Sequence, residues 1–267
     1  MSDPCDRSLQ RMRCAVFVGI CGALLNAAAG LGQDVRPIVA PAVISEPGSY
    51  VLLRASRSVR GEMPAVTIRG RDITLDLNGQ TLSGPETKMG VGISVESASG
   101  VAVRNGIVTG FQIGVQVLSS NNVRIEGVQI QGRDLGGTPP DVEIGVLLVN
   151  SRGVVVRDNT VSRTFLGVFV RGGGSGGNRI AGNTLTGDQN GMLGICYNPA
   201  MGEGIAAPKG DFVYSNLISR FANGIALSAD TKSNIFRDNT IAYRQQAVAD
   251  MSAGANILDG NLAAQLP

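Results

Sequence analysis

Between Gly92 and Asn261, apolar and polar positions alternate with a period of two, in short runs that return at a recognisable spacing. Each unit opens with a glycine and an alternating apolar pair, as in Gly92-Ile93-Ser94-Val95. It continues with a second pair, Val101-Ala102-Val103, and then an asparagine, Asn105. The phrase recurs at Gly114-Val115-Gln116-Val117, Gly145-Val146-Leu147-Leu148, Gly167-Val168-Phe169-Val170 and Gly224-Ile225-Ala226-Leu227. Period-two alternation predicts strands with one face in and one face out. Ile93, Val95, Val101 and Val103 then point inward, and Val115, Val117, Val123 and Ile125 take their places in the next unit. One unit alone buries nothing, so the units must stack and pair strand on strand.

The unit glycines are 22 residues apart from Gly92 to Gly114, 31 from Gly114 to Gly145 and 22 from Gly145 to Gly167, and the 57 from Gly167 to Gly224 fit two turns with an insertion. A 22-residue coil therefore accounts for the chain with two insertions, one around Gly132 to Glu143 and a longer one around Gly187 to Asp211. A leucine-rich repeat has a similar period, but valine and isoleucine dominate here and no helical spacing lies between them. Aligning the coils on their second strand brings Asn105, Asn159, Asn183, Asn216, Asn239 and Asn261 into one column, with Gly127 as the exception. Asparagine and glycine tolerate left-handed backbone, and the asparagine amide can satisfy turn groups, so the column reads as a turn builder. An amide-lined ligand groove is the alternative. Upstream, Val43-Ile44 and Tyr50-Val51-Leu52-Leu53 flank the turn signal Glu46-Pro47-Gly48-Ser49, and the repeat is expected to start near Ala65.

The expected fold is all-β: a single-stranded right-handed parallel β-helix of about eight coils with two loop insertions. The segment from Ile44 to Gly84, with Glu46-Pro47-Gly48-Ser49-Tyr50-Val51-Leu52-Leu53 and Ile73-Thr74-Leu75-Asp76-Leu77-Asn78-Gly79, and the coils to Asn261, carry a family resemblance. The chain resembles exported bacterial parallel β-helix repeat proteins, relatives of the pectate-lyase-like superfamily and of the periplasmic NosD-type proteins. The resemblance speaks for fold; activity has to be argued from a site.

The first residues change the picture of location. Arg7, Arg11 and Arg13 precede an uncharged apolar run from Cys14 to Leu25 and then Ala27-Ala28-Ala29, the layout of a secretory signal peptide. Residues 1–29 are expected to be removed, 30–64 to form an extended leader and N-terminal cap strands, and 65–267 to form the solenoid. The mature chain would be secreted or periplasmic, with no integral membrane segment. It would keep 20 Lys and Arg against 19 Asp and Glu, a balance that gives no reason to expect nucleic acid as partner. Only Cys196 would remain of the cysteines, so no internal disulfide is expected. The chain has no histidine, which removes imidazole acid/base chemistry and the commonest transition-metal ligand.

The resemblance directs attention to the outer face of the first strands, which loops entered after the third strand would overhang. Its outward residues are Ser94 and Glu96, Gln116 and Leu118, Leu147 and Val149, Phe169 and Arg171, Ala226 and Ser228. Candidate substrate-binding residues are Glu96, Gln116, Phe169, Arg171 and Tyr197. Glycoside hydrolysis commonly uses two carboxylates across a gap, and only Glu96 qualifies on this face. An enzyme would need Arg171 or Tyr197 near Glu96, Asp141 or Asp188. The second-strand outer face carries Arg104, Glu126, Arg157, Arg179 and Arg237, read either as a charge ladder or as a track for an anionic glycan. No cofactor is expected. Asp134, Asp141 and Glu143 are a conceivable calcium set, and Met192, Cys196 and Met201 a conceivable set of soft ligands for Cu(I), although such sulfurs also simply pack. The expectation is a non-catalytic exported β-helix that binds a polysaccharide or another envelope component. A lyase, hydrolase or epimerase acting on acidic polysaccharide and a NosD-type accessory protein are the alternatives.

Overall fold

The computed structural model describes residues 34–58, 63–85, 90–132, 143–198, 207–252 and 254–267. Pro37–Pro267 forms one compact unit. Of the other unit, Met1–Arg36, only residues 34–36 are described, so the expected signal peptide lies outside the described residues. The compact unit is a right-handed parallel solenoid of about eight turns, with no helix among the described residues.

Each turn contributes three strands to three parallel stacks. The first stack includes Val91–Glu96, Ile113–Leu118, Ile144–Val149, Leu166–Arg171 and Leu193–Asn198. The second runs through Arg71–Asp76, Val155–Arg157, Arg179–Ala181, Phe212–Tyr214 and Ile235–Arg237; the third includes Thr81–Ser83, Thr160–Thr164 and Thr184–Gly187. Register is strict. Ile93 sits beside Val115, Val115 beside Val146, Val146 beside Val168 and Val168 beside Ile195. All five side chains are fully buried. Stacking like on like lets β-branched side chains fill the narrow interior without a helix to cover it.

The repeating glycine is explained by close approach. A Cβ added to Gly145 would lie 2.6 Å from the carbonyl oxygen of Gly167 and 2.3 Å from Val161 Cγ1. Gly167 meets the carbonyl of Gly194 in the same way. Gly194 opens the second of the two turns that the 57-residue spacing implies. The stretch expected to be one insertion from Gly187 to Asp211 contains a first strand, Leu193–Asn198, in register with Leu166–Arg171. Residues 199–206 therefore follow a first strand rather than a third. Cys196 and Tyr197 had interrupted the Val/Ile pattern there. The repeat also begins a coil earlier than Ala65, since Ala42–Ile44 pairs with Val66–Ile68, Gly48–Val51 with Ile73–Asp76 and Ser56–Arg57 with Leu82–Ser83.

The asparagine column stands at the corner between second and third strands, with one correction. Asn159, Asn183, Asn216, Asn239 and Asn261 are linked, each Nδ2 donating to the next Oδ1 at 2.8–3.0 Å. Each Nδ2 also donates to a carbonyl: Asn183 to Val156 O at 2.9 Å, Asn216 to Ile180 O at 2.8 Å. Each Oδ1 accepts a backbone N–H from the preceding coil, as Asn183 Oδ1 does from Asn159 at 3.0 Å. Asn105 is not in this line. By register it stands with Gly127, Asp158, Gly182, Ser215 and Asp238, one position earlier. Those are residues with left-handed backbone, φ between 54 and 63°. The column thus divides its labour. One residue takes the turn conformation, and its buried neighbour, with a donor and an acceptor, answers the corner's backbone groups.

Candidate functional site

From Thr67 to Gln116 the first-strand outer face is closed by its own partners. Its central row runs Thr67, Ser94, Gln116, Leu147, Phe169, Cys196 and Ala226 in register. Thr67, Ser94, Leu147 and Cys196 are buried although they face outward. Arg69 Nε and Nη2 donate to Glu96 Oε2 at 2.9 and 2.7 Å, Ser94 Oγ donates to Glu96 Oε1 at 2.6 Å, and Gln116 Nε2 donates to Ser94 Oγ at 2.8 Å. The Ser94 hydrogen bond, followed by the bonds and charge of Arg69, holds the Glu96 carboxyl below its ordinary value. Both oxygens of a low-pKa carboxylate are engaged, the opposite of what a general acid needs. Phe169 and Arg171 come together on one strand, with the guanidinium carbon 5.9 Å from the ring centroid. Arg171 Nε is buried with no hydrogen-bond partner among the described residues.

Tyr197, expected beside them, points the other way. It continues the inward row between Val170 and Leu227 and is 1% exposed. Its ring meets Phe236 edge-on at 5.4 Å, and its hydroxyl donates to Asp211 Oδ2 at 3.0 Å. Asp211 belongs to a second buried line that the sequence reading missed, in which the backbone N–H groups of Asn178, Asp211 and Asn234 donate to Oδ1 of Asp211, Asn234 and Asn256 at 2.8, 2.9 and 3.1 Å. Its signal was present, because each member stands five residues before a member of the first line: Asn178 before Asn183, Asp211 before Asn216, Asn234 before Asn239, Asn256 before Asn261. Burial pushes the Asp211 carboxyl up despite its hydrogen bonds from Asn178 and Tyr197, and burial with the facing carboxylate pushes the Tyr197 hydroxyl well above its ordinary value. This pair lies inside the wall, where it supports the corner between first and second strands.

The open chemistry is on the second-strand face. One outward row runs Ala102, Arg124, Val155, Arg179, Phe212 and Ile235; the next runs Arg104, Glu126, Arg157, Ala181, Tyr214 and Arg237. Arg179 was expected in line with Arg157, but Arg157 pairs with Ala181 and Arg179 shares a row with Arg124. Arg104 bonds Asp76 at 3.0 Å, Arg157 bonds Glu126 at 2.7 Å and Arg237 bonds Asp238 at 2.9 Å. Arg124 and Arg179 have no carboxylate within 4.0 Å among the described residues. The small side chains of Val155 and Ala181 leave a depression of about 270 Å³ bordered by Arg124, Glu126, Arg157, Arg179 and Tyr214. Tyr214 is 38% exposed and Phe212, beside Arg179, 43%. Exposed aromatic faces beside two free guanidinium forks can stack on a ring and bind a carboxylate or sulfate. Arg124, Phe212 and Tyr214 were missed because nothing in the alternation distinguishes an outward aromatic that binds from one that merely faces water.

The fold and this face define a parallel β-helix whose exposed chemistry lies along its flank. The family described as periplasmic copper-binding protein (NosD) matches residues 66–263, and the chain belongs to that family. No match is found among curated proteins. Among solved structures, the hyperthermoactive exopolygalacturonase from Thermotoga maritima is similar with a TM-score of 0.57 and 9% identity, over 86% of this chain and 69% of that one. DFA-IIIase from Arthrobacter chlorophenolicus A6, in complex with GF2, gives 0.57 and 10% over 84% of this chain and 60% of that one. A tailspike protein mutant of E. coli bacteriophage HK620, in complex with a pentasaccharide, gives 0.56 and 12% over 84% and 43%. At these identities the likeness is one of fold. The chain spans less than two thirds of the length of the DFA-IIIase and of the tailspike.

The family's description raises copper, and the donors among the described residues do not form a site for it. There is no histidine in the sequence. Cys196 is buried and its thiol is pushed up to about 12 by that burial, whereas a metal takes the thiolate. Met192 is exposed, and Met201 lies outside the described residues, as do Asp134 and Asp141 of the expected calcium set; Glu143 is buried. No group of three His, Cys, Asp or Glu that could hold a metal occurs among the described residues. No helix among them is long and apolar enough to cross a membrane.

Proposed function

We propose that the chain is an exported, periplasmic solenoid that binds an envelope polysaccharide along its second-strand face without cleaving it. The observation that carries this reading is the pair Arg124 and Arg179, without carboxylate partners among the described residues, beside exposed Tyr214 over a depression of about 270 Å³. A flat, extended strand face suits a polymer, because successive coils lie about 4.8 Å apart along the axis and Arg124 and Arg179 stand two coils apart in one row. The pentasaccharide-bound tailspike gives a precedent for glycan binding on this fold. The Glu96 carboxylate, engaged at both oxygens, argues against turnover on the first-strand face.

The test is electrophoresis of the full chain through gels containing acidic or neutral polysaccharides, with the same mixtures assayed for new reducing and unsaturated ends. Retardation by acidic polymers without new ends is the expected result. New ends would overturn the non-catalytic reading, and unretarded migration through every polymer would overturn the binding reading.

A further inference from the structure

A second groove, of about 370 Å³, lies on the third-strand side and is lined by Ser162, Arg163, Thr186, Asp188, Gln189 and Arg220 among others. Asp188 had been considered as a partner for Arg171; it lines this groove instead. The outward third-strand row here is hydroxyl-bearing: Ser162, Thr186 and Ser219 are in register, with Thr186 Oγ1 3.3 Å from Ser219 Oγ. Directly after that row the backbone turns through a left-handed residue, which is Gly110 in one coil (φ 72°) but Arg163 (φ 56°) and Arg220 (φ 62°) in two others. Glycine fills that conformation freely and an L side chain does not. The turn itself therefore does not call for arginine.

Both arginines are exposed, and neither has a carboxylate within 4.0 Å among the described residues. They flank the coil of Thr186, two coil spacings apart, or about 10 Å. Asp188 forms no ion pair with either of them, and its Oδ1 accepts the backbone N–H of Asn190 at 2.8 Å. The rim is fixed from behind. Arg244 donates to the carbonyls of Gln189 and Gly191, and Ala222 N–H donates to Gly191 O at 2.8 Å. A groove with two free cations, one carboxylate and a row of hydroxyls suits a ligand that carries negative charge and hydroxyl donors together. A bare anion such as inorganic phosphate would meet Asp188 as a like charge.

We infer that this groove is a second binding site, for an anionic sugar unit whose carboxylate or sulfate pairs with Arg163 and Arg220 while its ring hydroxyls bond Asp188, Ser162 and Thr186. The inference rests on the polysaccharide-binding reading but uses none of the same residues. The test is calorimetric titration of the full chain with three oligosaccharides of one length: a uronate, its carboxyl-reduced form and a sulfated form. It is run in the native sequence, in Arg163→Gly/Arg220→Gly, in Arg124→Ala/Arg179→Ala and in the quadruple variant.

The expected result is that anionic binding persists in Arg124→Ala/Arg179→Ala and falls a further ten- to hundredfold in the quadruple variant. The melting temperature of Arg163→Gly/Arg220→Gly should be unchanged or raised. The tighter of the uronate and the sulfated form names the anion. Equal binding of the carboxyl-reduced form, or a melting temperature lowered by the glycines, would overturn the inference. Complete loss of binding in Arg124→Ala/Arg179→Ala would overturn it and leave the second-strand reading standing. Loss confined to Arg163→Gly/Arg220→Gly would do the reverse, and no binding by the native chain would sink both.

Discussion

Two outer faces built by the same repeat differ in what they leave unanswered. On the first-strand face, Arg69, Glu96, Ser94 and Gln116 form a closed chain of hydrogen bonds, and Leu147 and Cys196 are buried. On the second-strand face, Arg124 and Arg179 have no carboxylate partner among the described residues, and Phe212 and Tyr214 stand in solvent. Strand register is equally strict on both, so the scaffold does not decide which face can bind. The decision rests on whether each polar side chain finds its partner within the wall or is left to find one outside.

The largest effect should come from breaking the corner that spaces the open face. Asn183→Leu leaves Asn159 N–H, Val156 O and Asn216 Oδ1 each short of a partner in a dry corner, and should cost at least about 3 kcal/mol in urea unfolding. An unchanged unfolding midpoint would mean that the line does not hold the coils. Asp211→Asn should act in the opposite direction. An amide removes a buried charge and can donate onward as Asn216 does to Asn239, which should stabilise by about 1–2 kcal/mol at neutral pH. The native carboxyl is raised when folded, so its contribution is fullest below the ordinary aspartate range and is lost as pH rises through the raised value. Melting curves of the asparagine variant should lack that decline.

Smaller effects sharpen the contrast between faces. Tyr214→Ala should weaken polysaccharide binding by roughly fivefold, about 1 kcal/mol, with no loss of stability, whereas Phe169→Ala should leave binding unchanged. Equal losses from both would merge the two faces. Glu96→Gln should cost less than about 1 kcal/mol, since Arg69 is largely exposed. The native Glu96 carboxyl is lowered, so its stabilisation is present above the ordinary glutamate value and is lost as pH falls through the lowered one. A difference between native and Glu96→Gln that persists unchanged into strong acid would contradict this.

Period-two alternation made the inward rows legible, from Ile93 to Ile225, because burial on one face imposes a composition on every second residue. The glycines were legible for a related reason: the next coil's carbonyl leaves Gly145 no room for a Cβ. The extra turn between Gly167 and Gly224 was legible from its spacing, but its first strand, Leu193–Asn198, was not, since Cys196 and Tyr197 broke the valine pattern while still fitting the register. Asn105 was misplaced by one residue, as an asparagine that takes the turn and one that bonds across coils look alike in sequence. The site was less legible than the fold. Outward positions obey no composition rule, so the closure of Glu96, the inward turn of Tyr197 and the openness of Arg124 emerged only from which side chains meet.

The most direct test of the account is the dissociation constant of an acidic polysaccharide for the native chain, for Arg124→Ala/Arg179→Ala and for Arg171→Ala, measured under one salt concentration. The account predicts at least a tenfold weakening for the double variant and none for Arg171→Ala. Undiminished affinity in the double variant, or a loss in Arg171→Ala alone, would contradict it and return the binding site to the first-strand face.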